Sequence, residues 1–424
     1  WPSGDGSCGM IEGASSRIHA DGTQDWRYAV RADCVGEVSM AIASAWALSG
    51  DAGAGEIAAN LNDFIYTHSV CARGPRANPT SPSYGLISWT TTPPADGVYY
   101  GDDNARAMLG TIAASAFLET NRWDEPLLRC LFANLRTTGP LGFRGGRLEE
   151  AGLQERGWRH YWETERIHYA PHYESWLWAC YLWAYRHTRF EPFLARATTG
   201  IRMTMAAYPD EWRWTNGIQQ ERARMLLPLA WLVRVDDTPI HRGWLRRIAE
   251  QLLRRQDACG AIGEEVGSPG LGAYGPPKTN AEYGTTEAPL IQQNGDPLSD
   301  LLYTTNFAFV GLHEAAAATA DPFYTEAAER LAHYLCRIQV SSEAHPELDG
   351  GWFRAFDFRR WEYWASNADV GWGAWSIESG WTQAWITSVM ALRRMRTSLW
   401  TLTAGSRIGE QLEALVPVMF PDVE

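Results

Sequence analysis

The chain has 424 residues, of which 45% are hydrophobic, and a formal net charge of −13. This supply of apolar residues suffices for a sizeable core, and the length fits either a few ordinary domains or one large domain. The acidic balance argues against nucleic acid or an anionic membrane as a partner, and no apolar run approaches the roughly 18 residues of a membrane span.

The start of the chain and its cysteines bear on processing and redox state. The chain opens at Trp1 without Met and without a basic and apolar leader. We therefore expect any targeting segment to lie upstream or to have been removed, as in a larger multidomain precursor. None of the seven cysteines forms a CxxC motif, and several fall within apolar helical stretches. This pattern predicts buried free thiols, although one disulfide also fits.

Residues 1–30 are rich in glycine and predict an irregular lead-in. Over 31–424 we expect a single catalytic domain, in which two kinds of helix-length segment alternate. Segments of the first kind carry little charge and lie at 34–48, 102–118, 172–185, 217–233, 301–319 and 375–394. Segments of the second kind are amphipathic and lie at 56–66, 125–136, 191–205, 239–255 and 322–339, followed by a weaker one around 404–416.

The two kinds of segment predict two layers of helix. In the segment that starts at Asp321-Pro322, Ala327, Leu331 and Leu335 recur at helical spacing, and proline fits the first turn. The first kind has almost no polar face and must be buried nearly all round. Paired in order, the segments predict an all-α fold, an (α/α)6 toroid of six helical hairpins. An open helical solenoid is the alternative.

The linkers differ in length in a way that predicts a site. The turns inside each hairpin are short, whereas the connections between hairpins are long. Long structured loops in a compact domain are usually functional. All of them enter the N-terminal ends of inner helices, so they converge on one face of the ring. The long linkers lie at about 71–101, 137–171, 206–216, 256–300 and 340–374.

The last of these linkers belongs to a tryptophan-rich stretch, 349–381. Aromatic faces suit the C–H faces of a sugar ring, while carboxylates and amides bind its hydroxyl groups. We interpret the stretch as one wall of a carbohydrate site, and a rigid aromatic cover over the helical core as the alternative. Its aromatic and polar residues are Trp352, Trp361, Trp364, Trp372, Trp375 and Trp381 with Asp357, Glu362, Asn367, Asp369 and Glu378.

Carboxylates at the helix starts are the candidates for chemistry. Asp103 is the first candidate for a catalytic acid or base, and Asp369 and Glu378 are candidates for its partner. One carboxyl group would protonate the leaving oxygen and the other would activate water. The neighbouring Asp102, Tyr100 and Arg106 are predicted to bind substrate; helix capping by one aspartate is the alternative reading.

The remaining candidates are predicted substrate-binding residues in the other linkers. His168 and His172 have an HxxxH spacing, but no HExxH motif or cysteine cluster accompanies them, so we expect no metal site. Hydrogen bonding to substrate or proton transfer suits these histidines better. The other predicted substrate-binding residues are Trp214, Asn216, Gln220, Glu221, Glu287, Tyr303, Asn367 and Trp372.

The motifs YYGDDNAR (99–106) and WASNADVGWGAWSIESGW (364–381), together with the hairpins, resemble the six-hairpin glycosidase superfamily of (α/α)6 toroids. The resemblance covers nearly the whole chain at the level of architecture. It implies action on an oligosaccharide or polysaccharide, often through an Asp or Glu pair and without a cofactor. It does not fix the sugar.

Four functions compete at this point. The leading one is a glycoside hydrolase that uses Asp103 with Asp369 or Glu378. A polysaccharide lyase would instead use His168, His172 or a tyrosine as base, with an arginine to neutralise a uronate carboxylate. A sugar epimerase with two histidines and a non-catalytic glycan-binding domain complete the set. A periplasmic or secreted location fits substrates of this kind.

Overall fold

A computed structural model of the protein describes residues 4–282, 286–365 and 372–421. Helices dominate it and come in successive pairs. The first pairs are α1 (Ala32–Ser49) and α2 (Ala52–Asp63), then α3 (Gly101–Phe117) and α4 (Asp124–Arg136), then, after α5 (Glu150–Glu163), α6 (Pro171–Thr188) and α7 (Glu191–Ala207). They are followed by α8 (Ile218–Val235) and α9 (Pro239–Leu253), α10 (Asn306–Thr319) and α11 (Pro322–Ile338), and finally α12 (Trp385–Arg394), α13 (Leu399–Leu402) and α14 (Leu412–Met419).

Six helices form a closed inner ring. In ring order, α1, α3, α6, α8, α10 and α12 each contact the next, and α12 contacts α1. Closure excludes the open solenoid and confirms the predicted (α/α)6 toroid. The close approach of α1 and α3 depends on glycine, because a Cβ added at Gly110 would collide with the backbone of Gly36.

The outer helices follow the predicted amphipathic pattern. In α11, Ala327, Leu331 and Leu335 are fully buried, and Asp321 caps the helix by accepting a hydrogen bond from the Phe323 N–H at 2.9 Å. Burial of such an apolar stripe against the inner ring contributes about 25 cal/mol for each Å² removed from water. The outer layer therefore stabilises the ring.

The sixth inner helix departs from this scheme, because residues after α12 cross the ends of the other inner helices. The buried carboxylate of Glu314 accepts the backbone N–H of Leu399 at 2.7 Å, and the Trp400 ring lies 5.3 Å from that of Trp231. The weaker helix expected around 404–416 is α14, which lies against α4. The ring end opposite the inner-helix N-termini is thus covered by the chain itself.

Short strands precede four of the inner helices. They are β1 (Ile11–Ile18), β2 (Gln24–Val30), β3 (Val98–Tyr100), β4 (Arg147–Glu149), β5 (Leu298–Asp300), β6 (Ala355–Asp357) and β7 (Ile377–Glu378). The antiparallel pairs are β1 with β2 and β7, β3 with β4, and β5 with β6. The ladders anchor the long linkers at the inner-helix N-termini.

The strands β1 and β2 correct the prediction of an irregular lead-in over residues 1–30. Trp26, Tyr28 and Val30 alternate along β2 with polar or small residues, which is the period of a strand. The glycines of residues 1–30 led to the prediction of irregular structure in spite of this alternation. Backbone hydrogen bonds from β1 to β7 join this hairpin to the start of the sixth inner helix.

Two further expectations concerned free thiols and membrane-spanning segments. All seven cysteines lie within the described residues and are free thiols, with Cys8 and Cys336 exposed and four of the others buried. Among the described helices, none combines the length and apolar character that crossing a bilayer requires.

Candidate active site

A cavity of about 270 Å³ opens on the face of the ring where the inner helices begin. We call it the ring-face cavity. Side chains from the N-terminal strands, the linkers and the first turns of inner helices meet there, as the pattern of linker lengths predicts. Its lining residues are Glu12, Arg27, Arg31, Trp89, Tyr100, Asp102, Asp103, His172, Tyr173, Thr215, Asn216, Tyr274, Glu287, Leu302, Tyr303, Trp372, Glu378 and Trp381.

The surroundings of Asp103 favour the protonated form of its carboxyl group. Asp103 lies in the first turn of α3, and its side chain is 6% exposed. Arg31 donates to its Oδ1 at 2.7 Å, yet burial and the negative charges of Asp33 and Asp102 raise the pKa of Asp103 well above its usual range. Asp103 therefore holds a proton more readily than an ordinary aspartate does.

The pKa of the adjacent Asp102 is shifted in the opposite direction. Burial acts to raise its pKa, but the guanidinium charges of Arg106 and Arg224, together with the electrostatic interaction with His172, outweigh burial and lower the pKa of Asp102 below its ordinary value. Its Oδ2 lies 3.3 Å from Arg106, 3.5 Å from Arg224 and 3.9 Å from Nε2 of His172. Asp102 is consequently ionised at neutral pH.

A layer of paired charges beneath the cavity holds both aspartates. Asp33 lies 2.8 Å from Arg31 and 2.7 Å from Arg106 and accepts the Trp381 indole N–H at 2.9 Å. The Arg106 guanidinium lies over the Trp381 ring at 3.8 Å. Burial opposes the ionisation of Asp33, but the two arginines prevail and hold its pKa well below its usual range. Buried pairs of this kind orient charges more reliably than they add stability.

Glu378 contributes a second protonated carboxyl group. It is 2% exposed and caps the π-helical turn Ser379–Ala384, where its Oε2 accepts the Trp381 backbone N–H. The Cys34 thiol donates to Oε1 at 2.9 Å. Burial, with the nearby Glu37, raises the pKa of Glu378 to about 8. At neutral pH it is a neutral acid.

One group of described side chains lies close enough together to bind a metal ion: Asp33, Cys34 and Glu37, whose ligand atoms are within 4.8 Å of one another. Arg106 already engages both carboxylates, at 2.7 Å from Asp33 and 3.2 Å from Glu37. A buried guanidinium among the ligands disfavours a second cation at this position. The group fits a charge network better than a metal centre.

His172 is the histidine that reaches the cavity. Its ring Nδ1 is bonded to the side chain of Gln220, and its backbone N–H donates to Glu221 at 2.6 Å. Burial and the charge of Arg224 hold the pKa of His172 well below its usual range, so the ring is neutral. His168 instead binds Glu174 through Nδ1 at 2.8 Å and does not line the cavity.

The structure brings nine of the predicted site residues to the cavity wall. They are Tyr100, Asp102, Asp103, His172, Asn216, Glu287, Tyr303, Trp372 and Glu378. Five others lie outside the lining: Arg106, His168, Trp214, Gln220 and Glu221. Asn367 and Asp369 lie outside the described residues.

The five displaced residues have other partners. Arg106 and Glu221 are completely buried among ion pairs or backbone N–H groups, and Gln220 lies behind His172. The Trp214 ring fills the space beside Gly267 and Gly272, where an added Cβ would collide with it. These five side chains were predicted to bind substrate directly. Their positions outside the cavity lining do not support such contact.

The tryptophan-rich stretch provides less of the wall than predicted. Of its indoles, Trp372 and Trp381 line the cavity. Trp352 donates to the Leu335 carbonyl and Trp375 to the Tyr363 carbonyl, at 2.9 and 2.8 Å. These two residues fasten the linker to its surroundings, in keeping with the alternative of a structural cover.

Sequence reasoning missed the contribution of the N-terminal hairpin. Glu12, Arg27 and Arg31 line the cavity, and the Arg27 guanidinium lies 4.1 Å from the centre of the Trp372 ring. Trp89 and Tyr274 were missed as well. The run Arg31-Ala-Asp33 at the start of an apolar helix was the available signal, because charged pairs there need partners.

No protein-family model and no curated protein sequence matches the chain. Solved structures do. A D-mannose isomerase superposes with a TM-score of 0.58 at 10% identity, covering 91% of this chain and 91% of that one. The cellobiose 2-epimerase of Spirochaeta thermophila gives 0.56 at 12% identity, covering 92% and 91%. The unsaturated glucuronyl hydrolase of Bacillus sp. GL1 gives 0.55 at 12% identity, covering 94% of each chain.

These similarities extend over whole chains and confirm the architecture that the sequence predicted. The chain has an (α/α)6 toroid fold, which these three enzymes share. At these identities the fold is what is shared, and the matched enzymes differ among themselves in the reaction named for each.

Proposed function

We propose that the protein is a carbohydrate-active enzyme, and that it hydrolyses a glycosidic bond of an oligosaccharide or polysaccharide. One observation carries the proposal: two adjacent carboxyl groups line one cavity wall, and their surroundings shift their pKa values in opposite directions. The pKa of Asp103 is raised well above its usual range, and the pKa of Asp102 is lowered. Titratable neighbours with pKa values driven apart mark the acid and the base of a reaction.

The mechanism assigns each group a role. The carboxylic acid of Asp103 donates its proton to the glycosidic oxygen, so that the bond between that oxygen and the anomeric carbon breaks with a neutral leaving group. Water supplies the oxygen of the new bond at the anomeric carbon, and its proton passes to the carboxylate of Asp102. Ionised Asp102 also stabilises the positive charge that develops on the sugar ring.

The walls fit a saccharide. Trp89, Tyr100 and Trp372 provide aromatic faces on the cavity lining, and Asn216 and Glu287 provide polar groups among them. Sugar rings combine apolar C–H faces with hydroxyl edges, which suits a lining of this mixed type. Glu378, a neutral acid, can donate a hydrogen bond to a hydroxyl oxygen in the cavity. Asp369, the other predicted partner of Asp103, remains a prediction.

A sugar epimerase or isomerase is the second candidate. It is supported by His172, a neutral imidazole on the cavity wall, and by the shared fold with a D-mannose isomerase and a cellobiose 2-epimerase. Such a reaction needs a base that removes a proton from carbon. The lyase reaction needs one as well, and Arg27 at the cavity could face the uronate that a lyase requires.

Product analysis separates the candidates. The protein is incubated with a panel of plant, algal and bacterial glycans and disaccharides, and new reducing ends, ultraviolet absorbance of a C4–C5 double bond and epimer composition are measured. Hydrolysis yields new reducing ends without the chromophore. Chromophore growth supports the lyase, a changed sugar of unchanged size supports the epimerase, and affinity without turnover supports a glycan-binding domain.

Two variants connect the activity to the cavity. Asp103→Asn removes the proton donor while keeping an oxygen for Arg31, so hydrolysis should collapse. Asp124→Asn is the matched control, because burial also raises the pKa of Asp124, to about 6, in a separate cavity at the opposite end of the ring. Full activity in the Asp103 variant would refute the assignment.

A further inference from the structure

Gln220 lies in the first turn of α8, completely buried behind His172. Its Oε1 accepts the backbone N–H of Asn216 at 3.3 Å and lies 2.7 Å from the Thr215 hydroxyl. A backbone N–H can only donate, so this side of the amide must be the oxygen. The other side is the NH2 group, and it is directed at Nδ1 of His172.

This orientation determines where the imidazole proton lies. An NH2 group donates, so Nδ1 of His172 accepts and carries no hydrogen in the neutral ring. The proton is then on Nε2. That nitrogen lies 3.9 Å from Oδ2 of Asp102, which is too far for a direct hydrogen bond.

We propose that Gln220 is a positioning residue that fixes His172 as the Nε2–H tautomer, so that His172 presents a hydrogen-bond donor to the ring-face cavity. Nε2 then has no lone pair available to remove a proton from substrate. The assignment therefore disfavours His172 as the base of an epimerase or lyase.

With this tautomer, His172 offers a hydrogen-bond donor and Asp102 offers an acceptor. A hydroxyl group between them would accept from Nε2–H and donate to Oδ2. This step rests on the proposed function, since it takes a sugar hydroxyl as the bridging group. The tautomer itself depends only on the protein.

The groups around His172 agree with a neutral donor. Asp102 and Arg106 face it from α3, Arg224 and Glu221 from α8, and His168 from the linker before α6. Burial and Arg224 disfavour the imidazolium form. The uncharged amide of Gln220 is compatible with a neutral imidazole, whereas a carboxylate at position 220 would stabilise the imidazolium form.

Nitrogen NMR of protein labelled with ¹⁵N-histidine tests the proposal without any substrate. The His172 signals are assigned among the ten histidines by comparison with His172→Asn. We expect an unprotonated Nδ1 and a protonated Nε2 at neutral pH. His168 provides an internal contrast, because the Glu174 carboxylate requires Nδ1–H there. A proton on Nδ1 of His172 in the unsubstituted protein would overturn the proposal.

Two substitutions make the test specific to Gln220. In Gln220→Glu the carboxylate should draw a proton to Nδ1 of His172, and in Gln220→Met the signals should move towards an average of both tautomers. The His168 signals should stay unchanged in both variants. An unaltered His172 spectrum in the folded Met variant would contradict the role of Gln220. Because these readouts need no turnover, their failure is distinct from the failure of the hydrolase proposal.

Discussion

Replacing Glu378 by glutamine should change how the free energy of unfolding depends on pH. In the native protein burial raises the pKa of Glu378 from 4.5 to about 8, while in the unfolded chain the group titrates at its ordinary value. Between these values the native state binds more protons than the unfolded state, so stability falls as pH rises. Glutamine has no such titration.

The size of the effect follows from the shift. At about 1.4 kcal/mol for each pKa unit, a change from 4.5 to about 8 corresponds to roughly 5 kcal/mol as an upper bound. At or below pH 4.5 the two proteins should be nearly equal in stability, because glutamine resembles the neutral acid and its amide oxygen can still accept the Trp381 N–H. By pH 8 the variant should be more stable by a few kcal/mol.

Urea unfolding at several pH values measures this difference. The 22 tryptophans give a fluorescence signal, and other buried acids such as Glu221 titrate in both proteins and cancel. Glu413→Gln, on the exposed side of α14, controls for the loss of one negative charge. Parallel stability curves for the native protein and Glu378→Gln would refute the claim that Glu378 is buried as a neutral acid.

Four further predictions concern the cavity and its support. Asp103→Asn should lower kcat for hydrolysis by roughly 10²–10⁴-fold, the usual contribution of a general acid. In the native enzyme kcat/KM should fall as pH rises through the raised pKa of Asp103, because the carboxyl group then loses the proton that it donates. Trp372→Ala should raise KM about tenfold with less effect on kcat, because an aromatic face contributes on the order of 1 kcal/mol. Arg354→Met should cost roughly 3–5 kcal/mol in thermal unfolding, because it leaves Asp300 buried without the guanidinium 3.0 Å away and frees the Trp372 carbonyl.

Each of these has a contradicting result. If kcat/KM fell only towards acidic pH, the essential proton would not be the one on Asp103. An unchanged KM in Trp372→Ala would remove that indole from the substrate wall, and an unchanged melting temperature in Arg354→Met would show that the buried pair does not anchor the last linker.

The ring could be predicted from the sequence because its signals are local and repeated. Apolar segments alternate with amphipathic ones, and proline marks the starts of outer helices such as α11. Linker lengths also indicated which face carries the site, because a long connection must enter at the same end of every inner helix. Tyr100, Asp102 and Asp103 could be assigned to that face for this reason.

What could not be predicted depends on contacts between distant segments. The sequence does not show that Arg31 would cross to Asp103, or that Gln220 would lie behind His172, because these contacts span 72 and 48 positions. Indoles lining a cavity and indoles fastened to backbone carbonyls look alike in sequence, as Trp372 and Trp352 illustrate. The opposite pKa shifts of Asp102 and Asp103 likewise arise from burial and from charges on other helices.

The most direct test of hydrolysis is mass spectrometry of the products formed in water labelled with heavy oxygen. On a glycan that the enzyme turns over, we expect one labelled oxygen at each new reducing end with the native protein and none above background with Asp103→Asn. Fragments without added water would indicate elimination, and a product of unchanged mass would indicate epimerisation or isomerisation. Either result would contradict the assignment of Asp103 and Asp102 as the acid and base of a hydrolase.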